Sequence, residues 1–135
     1  MLQPKKQLFR KQFRGSAKTI SERGSKLAFG EFGLKSEGRS LVTAVQLEAA
    51  RRSIIFFTKK GGRVWTRVFP DKPFSKKAAG TRMGGGKGDI AGYVVPIVPG
   101  KILFEIGGVT RELAKLAMTR AGQKLPIKTS FVAKE

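Results

Sequence analysis

Any fold open to this chain has to keep most of its charge outside and facing something negative. Twenty-eight lysines and arginines oppose nine acids over 135 residues, a formal net charge of +19. Such an excess repels itself in a compact state unless a polyanion offsets it. Ten phenylalanines and 40% apolar content still supply a core, so a wholly disordered basic tail is excluded. The length suits one domain. Nucleic acid is the partner this charge implies. A membrane surface is the competing outlet, but it calls for a basic amphipathic helix or a lipid anchor, and neither is legible. No stretch approaches the ~20 apolar residues that cross a bilayer.

Catalysis finds no footing. Cysteine and histidine are absent, which removes disulfides, Cys/His zinc sites and His-dependent relays. The nine acids, Glu22, Glu31, Glu37, Glu48, Asp71, Asp89, Glu105, Glu112 and Glu135, form no metal-ligand cluster and no paired-carboxylate motif. The run Thr81-Arg82-Met83-Gly84-Gly85-Gly86-Lys87-Gly88 invites comparison with a phosphate-binding P-loop. Thr81 stands where that motif needs its first glycine, and Gly88 where it needs Ser or Thr. The dinucleotide fingerprint fails too, because Asp89 takes the place of its third glycine. What the run does offer is a bare backbone flanked by Arg82 and Lys87, able to approach a partner closely and to contact phosphate.

The cations are unevenly spread. Residues 1–24 hold seven of them, Lys5, Lys6, Arg10, Lys11, Arg14, Lys18 and Arg23, with Leu8, Phe9 and Phe13 interleaved. This reads as a basic N-terminal arm, either ordering on its polyanion or solvated with its aromatics tucked onto the core. Residues 51–88 hold eleven more, Arg51, Arg52, Lys59, Lys60, Arg63, Arg67, Lys72, Lys76, Lys77, Arg82 and Lys87, against the single acid Asp71. Residues 25–135 form the remaining single domain.

Within that domain the pattern predicts an α+β fold, a mixed or antiparallel sheet with two main helices. One or two short glycine-broken strands are expected over 26–34. Thr43 and Gln46 form a capping box for a helix with Leu47, Ala50, Ile54 and Phe57 inward and Gly61-Gly62 as its stop. Arg63–Phe69 alternates as a strand ended by Pro70, with Trp65 read as a core anchor rather than a base-stacking platform. Residues 70–92 show no period and are expected as an extended loop. Tyr93–Val98 and Lys101–Ile106 flank Val98-Pro99-Gly100-Lys101, a type II turn that predicts a hairpin. Pro96 places the first of these strands at an edge or bulge. Thr110 caps a second helix with Leu113, Ala114, Ala117 and Ala121 inward, ended by Gly122, and Ile127–Val132 closes the sheet.

Sequence-specific DNA reading is disfavoured: the first helix begins Ala44-Val45-Gln46, and asparagine is absent. No stretch matches the aromatic signature of single-stranded RNA modules. Contact with a structured RNA through phosphates, shape and inserted loops is what these residues leave.

Six segments in register then carry a family resemblance. Met1-Leu2-Gln3-Pro4-Lys5-Lys6, Phe29-Gly30-Glu31-Phe32-Gly33-Leu34, Gln46-Leu47-Glu48-Ala49-Ala50-Arg51-Arg52, Arg67-Val68-Phe69-Pro70-Asp71-Lys72-Pro73, Thr81-Arg82-Met83-Gly84 with Gly86-Lys87-Gly88, and Lys124-Leu125-Pro126-Ile127-Lys128-Thr129 resemble the bacterial-type large-subunit ribosomal protein sixteen. This universal family includes the archaeal and eukaryotic ribosomal protein ten-e. The resemblance implies a hammerhead-type α+β domain, no cofactor or metal, and a structural role rather than catalysis. It implies large-subunit ribosomal RNA, A-site tRNA and neighbouring ribosomal proteins as partners, near the peptidyl-transferase centre, in a bacterial or organellar ribosome.

Carried over, Arg82, Met83, Gly84, Gly85, Gly86, Lys87 and Gly88 form the tRNA-side loop, with Arg82 at a position hydroxylated in some relatives. Lys5, Lys6, Arg10, Lys11, Arg14, Arg51, Arg52, Lys59, Lys60, Arg63, Arg67, Lys72, Lys76 and Lys77 become ribosomal-RNA contacts. Gly85 and Ala91-Gly92-Tyr93 depart from the family pattern, which has a basic or polar residue and acid-Tyr-Trp there. A ribosome-free RNA-remodelling or chaperone protein is the alternative reading.

Overall fold

Two threonines start the two helices. Thr43 Oγ1 accepts from the Gln46 N–H at 3.1 Å while Gln46 Oε1 accepts from the Thr43 N–H at 2.9 Å. This reciprocal box opens α1 (Ala44–Thr58). Thr110 Oγ1 accepts from the Leu113 N–H at 3.3 Å and opens α2 (Arg111–Gly122). The computed structural model describes residues 2–6, 11–12, 19–21, 23–59, 61–76, 84, 86 and 88–134.

Leu47, Ala50 and Ile54 are buried on α1, as their spacing predicts, and Phe57 is half-buried. On α2 the buried set is Ala114, Ala117, Met118 and Ala121, with Leu113 half-buried. These small α2 side chains let the two helices pack closely. Helix α1 stops before its glycines. Lys59 itself turns left-handed, φ +52°, and its N–H reaches back to the Ile55 and Phe56 carbonyls. The Gly61 N–H then bonds the Thr58 carbonyl at 2.8 Å, so the last helical carbonyls find partners without a glycine at the turning residue.

Among the described residues seven strands accompany the helices: β1 (Phe32–Ser36), β2 (Ser40–Thr43), β3 (Arg63–Thr66), β4 (Lys72–Lys76), β5 (Asp89–Ile97), β6 (Ile102–Gly107) and β7 (Thr129–Ala133). Every pairing among the described residues is antiparallel, in a four-stranded sheet ordered β3-β6-β1-β7 and a three-stranded sheet ordered β2-β5-β4. Helix α2 packs on β1 and β7, and α1 contacts β2, β3 and β5 alike. Leu34, Phe104, Ile106, Leu47, Ile54, Met118, Leu125 and Ile127 meet in the core between helices and large sheet, which Val42 and Ile97 of the small sheet extend. The fold is α+β in one domain, as the pattern predicts.

The hairpin expected across 93–106 is not there, although its turn is. The Lys101 N–H bonds the Val98 carbonyl at 3.4 Å, and Gly100 has φ +92°, as the third position of a type II turn requires. Yet β5 pairs with β2 and β4, while β6 pairs with β1 and β3. Ser36, buried at the end of β1, captures the turn instead. Its N–H bonds the Lys101 carbonyl at 2.8 Å, its carbonyl accepts the Gly100 N–H at 2.9 Å, and its hydroxyl donates to the Val98 carbonyl at 2.6 Å. The chain thus leaves one sheet and enters the other. Pro96 lies opposite Leu41 of β2, and β4 ends its pairing at Val94, so the proline sits beside a strand on one side only, as a missing donor demands.

Other expectations shift. The strand placed in 26–34 is β1, at 32–36. The strand expected to reach Phe69 ends at Thr66, although the next N–H, that of Arg67, still bonds the Leu103 carbonyl of β6 at 2.9 Å. Residues 70–92 are not one loop: Lys72–Lys76 and Asp89 onward are paired strands, built from a segment whose Pro73 and irregular register at Phe74–Ser75 hide its alternation. Trp65 is not in the core cluster. It is half-buried on the far face of the large sheet, cross-strand from Glu105.

Candidate nucleic-acid interface

The glycine-rich run falls in the connection between the paired strands β4 and β5. Lys76 pairs with Asp89 at the last rung, so residues 77–88 link two antiparallel strands. Gly84 and Gly86 have φ of +101° and +90°, a region side chains avoid. A Cβ on either would meet nothing within 4 Å. Their requirement for glycine is therefore one of backbone conformation and not of internal packing. Arg82, Met83, Gly85 and Lys87 lie outside the described residues, as do Arg10, Arg14, Lys60 and Lys77. Gly88 is half-buried, and Lys76, at the hairpin base, is exposed; Lys72 is half-buried.

Opposite Phe74 of β4 stands Gly92, where a Cβ would lie 2.9 Å from the Phe74 ring. The glycine of the departing Ala91-Gly92-Tyr93 segment thus makes room for an aromatic from the neighbouring strand. The start of the arm comes to the same hairpin. Leu2 and Gln3 line a cleft of about 250 Å³ with Val45, Phe74 and Tyr93. Gln12 lines another of about 320 Å³ with Leu41, Lys72 and Phe74. Lys5 and Lys6 are exposed beside these anchored residues and Lys11 is half-buried. Further along, the Ser21 N–H bonds the Pro99 carbonyl at 2.9 Å and the Gly24 carbonyl accepts from Ile102 at 2.8 Å. The described parts of the arm are therefore seated on the domain.

The remaining cations fall in separate places. Arg51 and Arg52 share Glu48: Arg51 forks onto it at 2.6 and 3.0 Å, and Arg52 Nε reaches it at 3.0 Å. The Arg51 hydrogen bonds, opposed by partial burial and reinforced by Arg52, hold the Glu48 carboxyl down to about 2. The arrangement orients two guanidinium groups while leaving one net positive charge. Lys59 and Arg63 are exposed near the other end of α1, some 20 Å from its start at about 1.5 Å per residue. Lys26, Lys35 and Lys134, from three separate stretches of the chain, rim a groove of about 470 Å³ lined by Leu27, Ile102 and Val132. Nothing in the linear pattern brings those three lysines together.

Arg67 differs from the other predicted contacts. Its side chain is only 17% exposed and pairs with Glu105, which is fully buried. Glu105 Oε1 also accepts the backbone N–H groups of Ala28, Phe29 and Gly30, each at 2.9 Å. Burial pushes this carboxyl up, but the three N–H donors and Arg67 outweigh it and hold it below its ordinary value. A side chain at Gly30 would strike the Ile106 backbone at 2.7 Å, so glycine lets this segment reach the carboxylate. Arg67 and Glu105 are a clasp that ties residues 28–30 across the sheet. Sequence reasoning misses Glu105; an acid alternating inside the apolar run Ile102–Ile106 is the signal that could have found it.

A domain that exposes cations on an anchored arm, on a helix and on strand β4 fits an RNA scaffold protein. The family model described as ribosomal protein L16p/L10e matches residues 4–132. That match spans nearly the whole chain, including both helices and all seven strands apart from the final residue of β7. The chain belongs to the ribosomal protein L16p/L10e family and is a protein of the large ribosomal subunit, with ribosomal RNA and ribosomal proteins as its partners.

Proposed function

We propose that this protein anchors on large-subunit RNA beside the aminoacyl site, near the peptidyl-transferase centre, and presents residues 77–88 toward the incoming tRNA. The observation that carries this is the place of the glycine-rich run in the connection between the paired strands β4 and β5, with Lys72 and Lys76 on β4. A paired two-stranded stem gives the connection it carries a better-defined direction than a free loop has. Arg82 and Lys87 supply the charge for phosphate, and the glycines let the backbone come close. Lys5, Lys6, Arg10, Lys11, Arg14, Arg51, Arg52, Lys59, Lys60, Arg63, Lys72, Lys76 and Lys77 anchor the body on ribosomal RNA. Arg67 serves the clasp to Glu105. The role is positional: the protein supports aminoacyl-tRNA placement and subunit assembly, and the chemistry of translation lies elsewhere.

Arg82→Ala combined with Lys87→Ala tests this reading. A-site tRNA binding should fall several-fold while incorporation into the large subunit is retained, since the body keeps its other cations. Failed incorporation with normal tRNA binding in the surviving ribosomes would make the connection an assembly contact and refute the proposal.

A further inference from the structure

The face of the large sheet turned away from the helices carries an aromatic pair that the core does not use. Leu34 points to the core; by strand alternation Gly33, and its partners Glu105 and Val132, face the other way. Trp65 is paired with Glu105 on that same face. Phe29 stacks on Trp65, ring centroids 6.0 Å apart and planes inclined by 20°. Phe29 nevertheless remains 61% exposed. The Arg63 guanidinium lies 5.8 Å from the Trp65 centroid, and that of Arg67 5.5 Å from the Phe29 centroid.

This ring is held from beneath. The Phe29 N–H and those of its two neighbours are fixed on Glu105, and Arg67 locks the same carboxylate. A large apolar side chain kept in place yet open to water is preorganised for a flat partner, with little ordering entropy left to lose. We infer that Phe29 and Trp65 form a stacking platform for an unpaired nucleobase of large-subunit RNA, with exposed Arg63 meeting the phosphate that accompanies it. The inference rests on the RNA-anchoring reading above and adds a base contact to what is otherwise a phosphate-binding surface. An aromatic or proline from a protein could lie on the same ring, but it would bring no charge for Arg63. Every face of a base is suited to such stacking, which makes the contact tolerant of sequence.

The test compares the full chain with Phe29→Leu and Phe29→Tyr for binding to purified large-subunit ribosomal RNA across a salt series. The thermal midpoint of each is measured alongside. Phe29→Leu keeps an apolar side chain and the backbone clasp, so the midpoint should hold. Its affinity should fall roughly 5- to 100-fold with the slope of log K against log salt unchanged, since no charge is removed. Phe29→Tyr should restore most of the affinity. Ultraviolet crosslinking of the unsubstituted complex should place a nucleotide adduct at Phe29, within the tryptic peptide 27–35.

Unchanged affinity for Phe29→Leu, or an adduct that persists elsewhere and never at Phe29, overturns the platform while RNA anchoring stands. Failure of the unsubstituted chain to bind this RNA overturns the anchoring reading and the platform with it. Normal RNA affinity with loss of a neighbouring ribosomal protein from reconstituted subunits would assign the ring to a protein partner and overturn the proposal.

Discussion

Replacing Glu105 by Gln should be among the most damaging isosteric changes in this domain. The amide retains one oxygen to accept the Ala28, Phe29 and Gly30 N–H groups. Its NH2 then faces the Arg67 guanidinium, donor against donor, and the half-buried cation loses its counter-charge. Breaking one side of a buried pair costs roughly 3–5 kcal/mol. Arg67 keeps its 3.1 Å bond to the Lys26 carbonyl and has some access to water, so the lower end applies, about 3 kcal/mol. For a domain of this size that corresponds to a fall of about 10 °C in the midpoint.

The sign of the pH dependence follows from the depressed carboxyl. Its stabilisation is fully present above the unfolded carboxylate's ordinary value of 4.5 and is lost as pH falls through the lower folded value. Calorimetry should therefore find the full gap between wild type and Glu105→Gln near neutral pH, and a narrower gap deep in the acid range. The double variant Arg67→Gln with Glu105→Gln should be less damaged than the sum of the singles by about 1–3 kcal/mol. Equal midpoints near neutrality, or a gap that does not narrow in acid, would refute the clasp.

Smaller effects check the local reasoning. Thr43→Ala removes half of the capping box and should cost about 1 kcal/mol in denaturant unfolding. Lys59→Gly relieves a left-handed residue and should stabilise by up to about 1 kcal/mol, so a loss would mean that the lysine side chain contributes more than its backbone strain removes. Glu48→Gln should cost less than about 1 kcal/mol near neutral pH, because its arginines are largely solvated. The effect should be complete above 4.5 and vanish as pH approaches about 2, the folded value. Deleting residues 1–14 removes Lys5, Lys6, Arg10, Lys11 and Arg14. RNA binding by the shortened chain should depend less steeply on salt, the log–log slope falling by somewhat under about one unit for every phosphate the arm neutralises.

Local chemistry is legible in the sequence where it is decided locally. The Thr43–Gln46 box, the Thr110 cap, the α1 stripe and the turn at Gly100 all rest on residues three or four apart. Pairing is not legible, because alternation says which face a residue takes and not which strand lies beside it. That is why the 98–101 turn suggests a hairpin when Ser36, more than sixty residues away, decides its fate. Strand β4 is hidden by Pro73 and by its irregular register at Phe74–Ser75. The interface divides the same way. The cation-rich regions stand out in composition, whereas the difference between Arg67 and Arg63 depends on Glu105, and the Lys26–Lys35–Lys134 groove depends on three stretches of the chain meeting. Trp65 looks like a core residue because its strand has two plausible faces, and only its place opposite Glu105, with Phe29 stacked on it, shows which one it takes.

The capture of the 98–101 turn by Ser36 also governs the order in which the chain can assemble. Among the described strands, β4 and β5 are the one pair joined by a short connection; β1 must find β6 some seventy residues later and β7 near residue 130. Emerging from synthesis, the first half has its helix and waits with an unpaired β1 edge until the final strand arrives. Folding should therefore be late and slow for a domain of this size. During that interval the exposed strand edge and the dense positive charge coexist, and early contact with RNA would shield both.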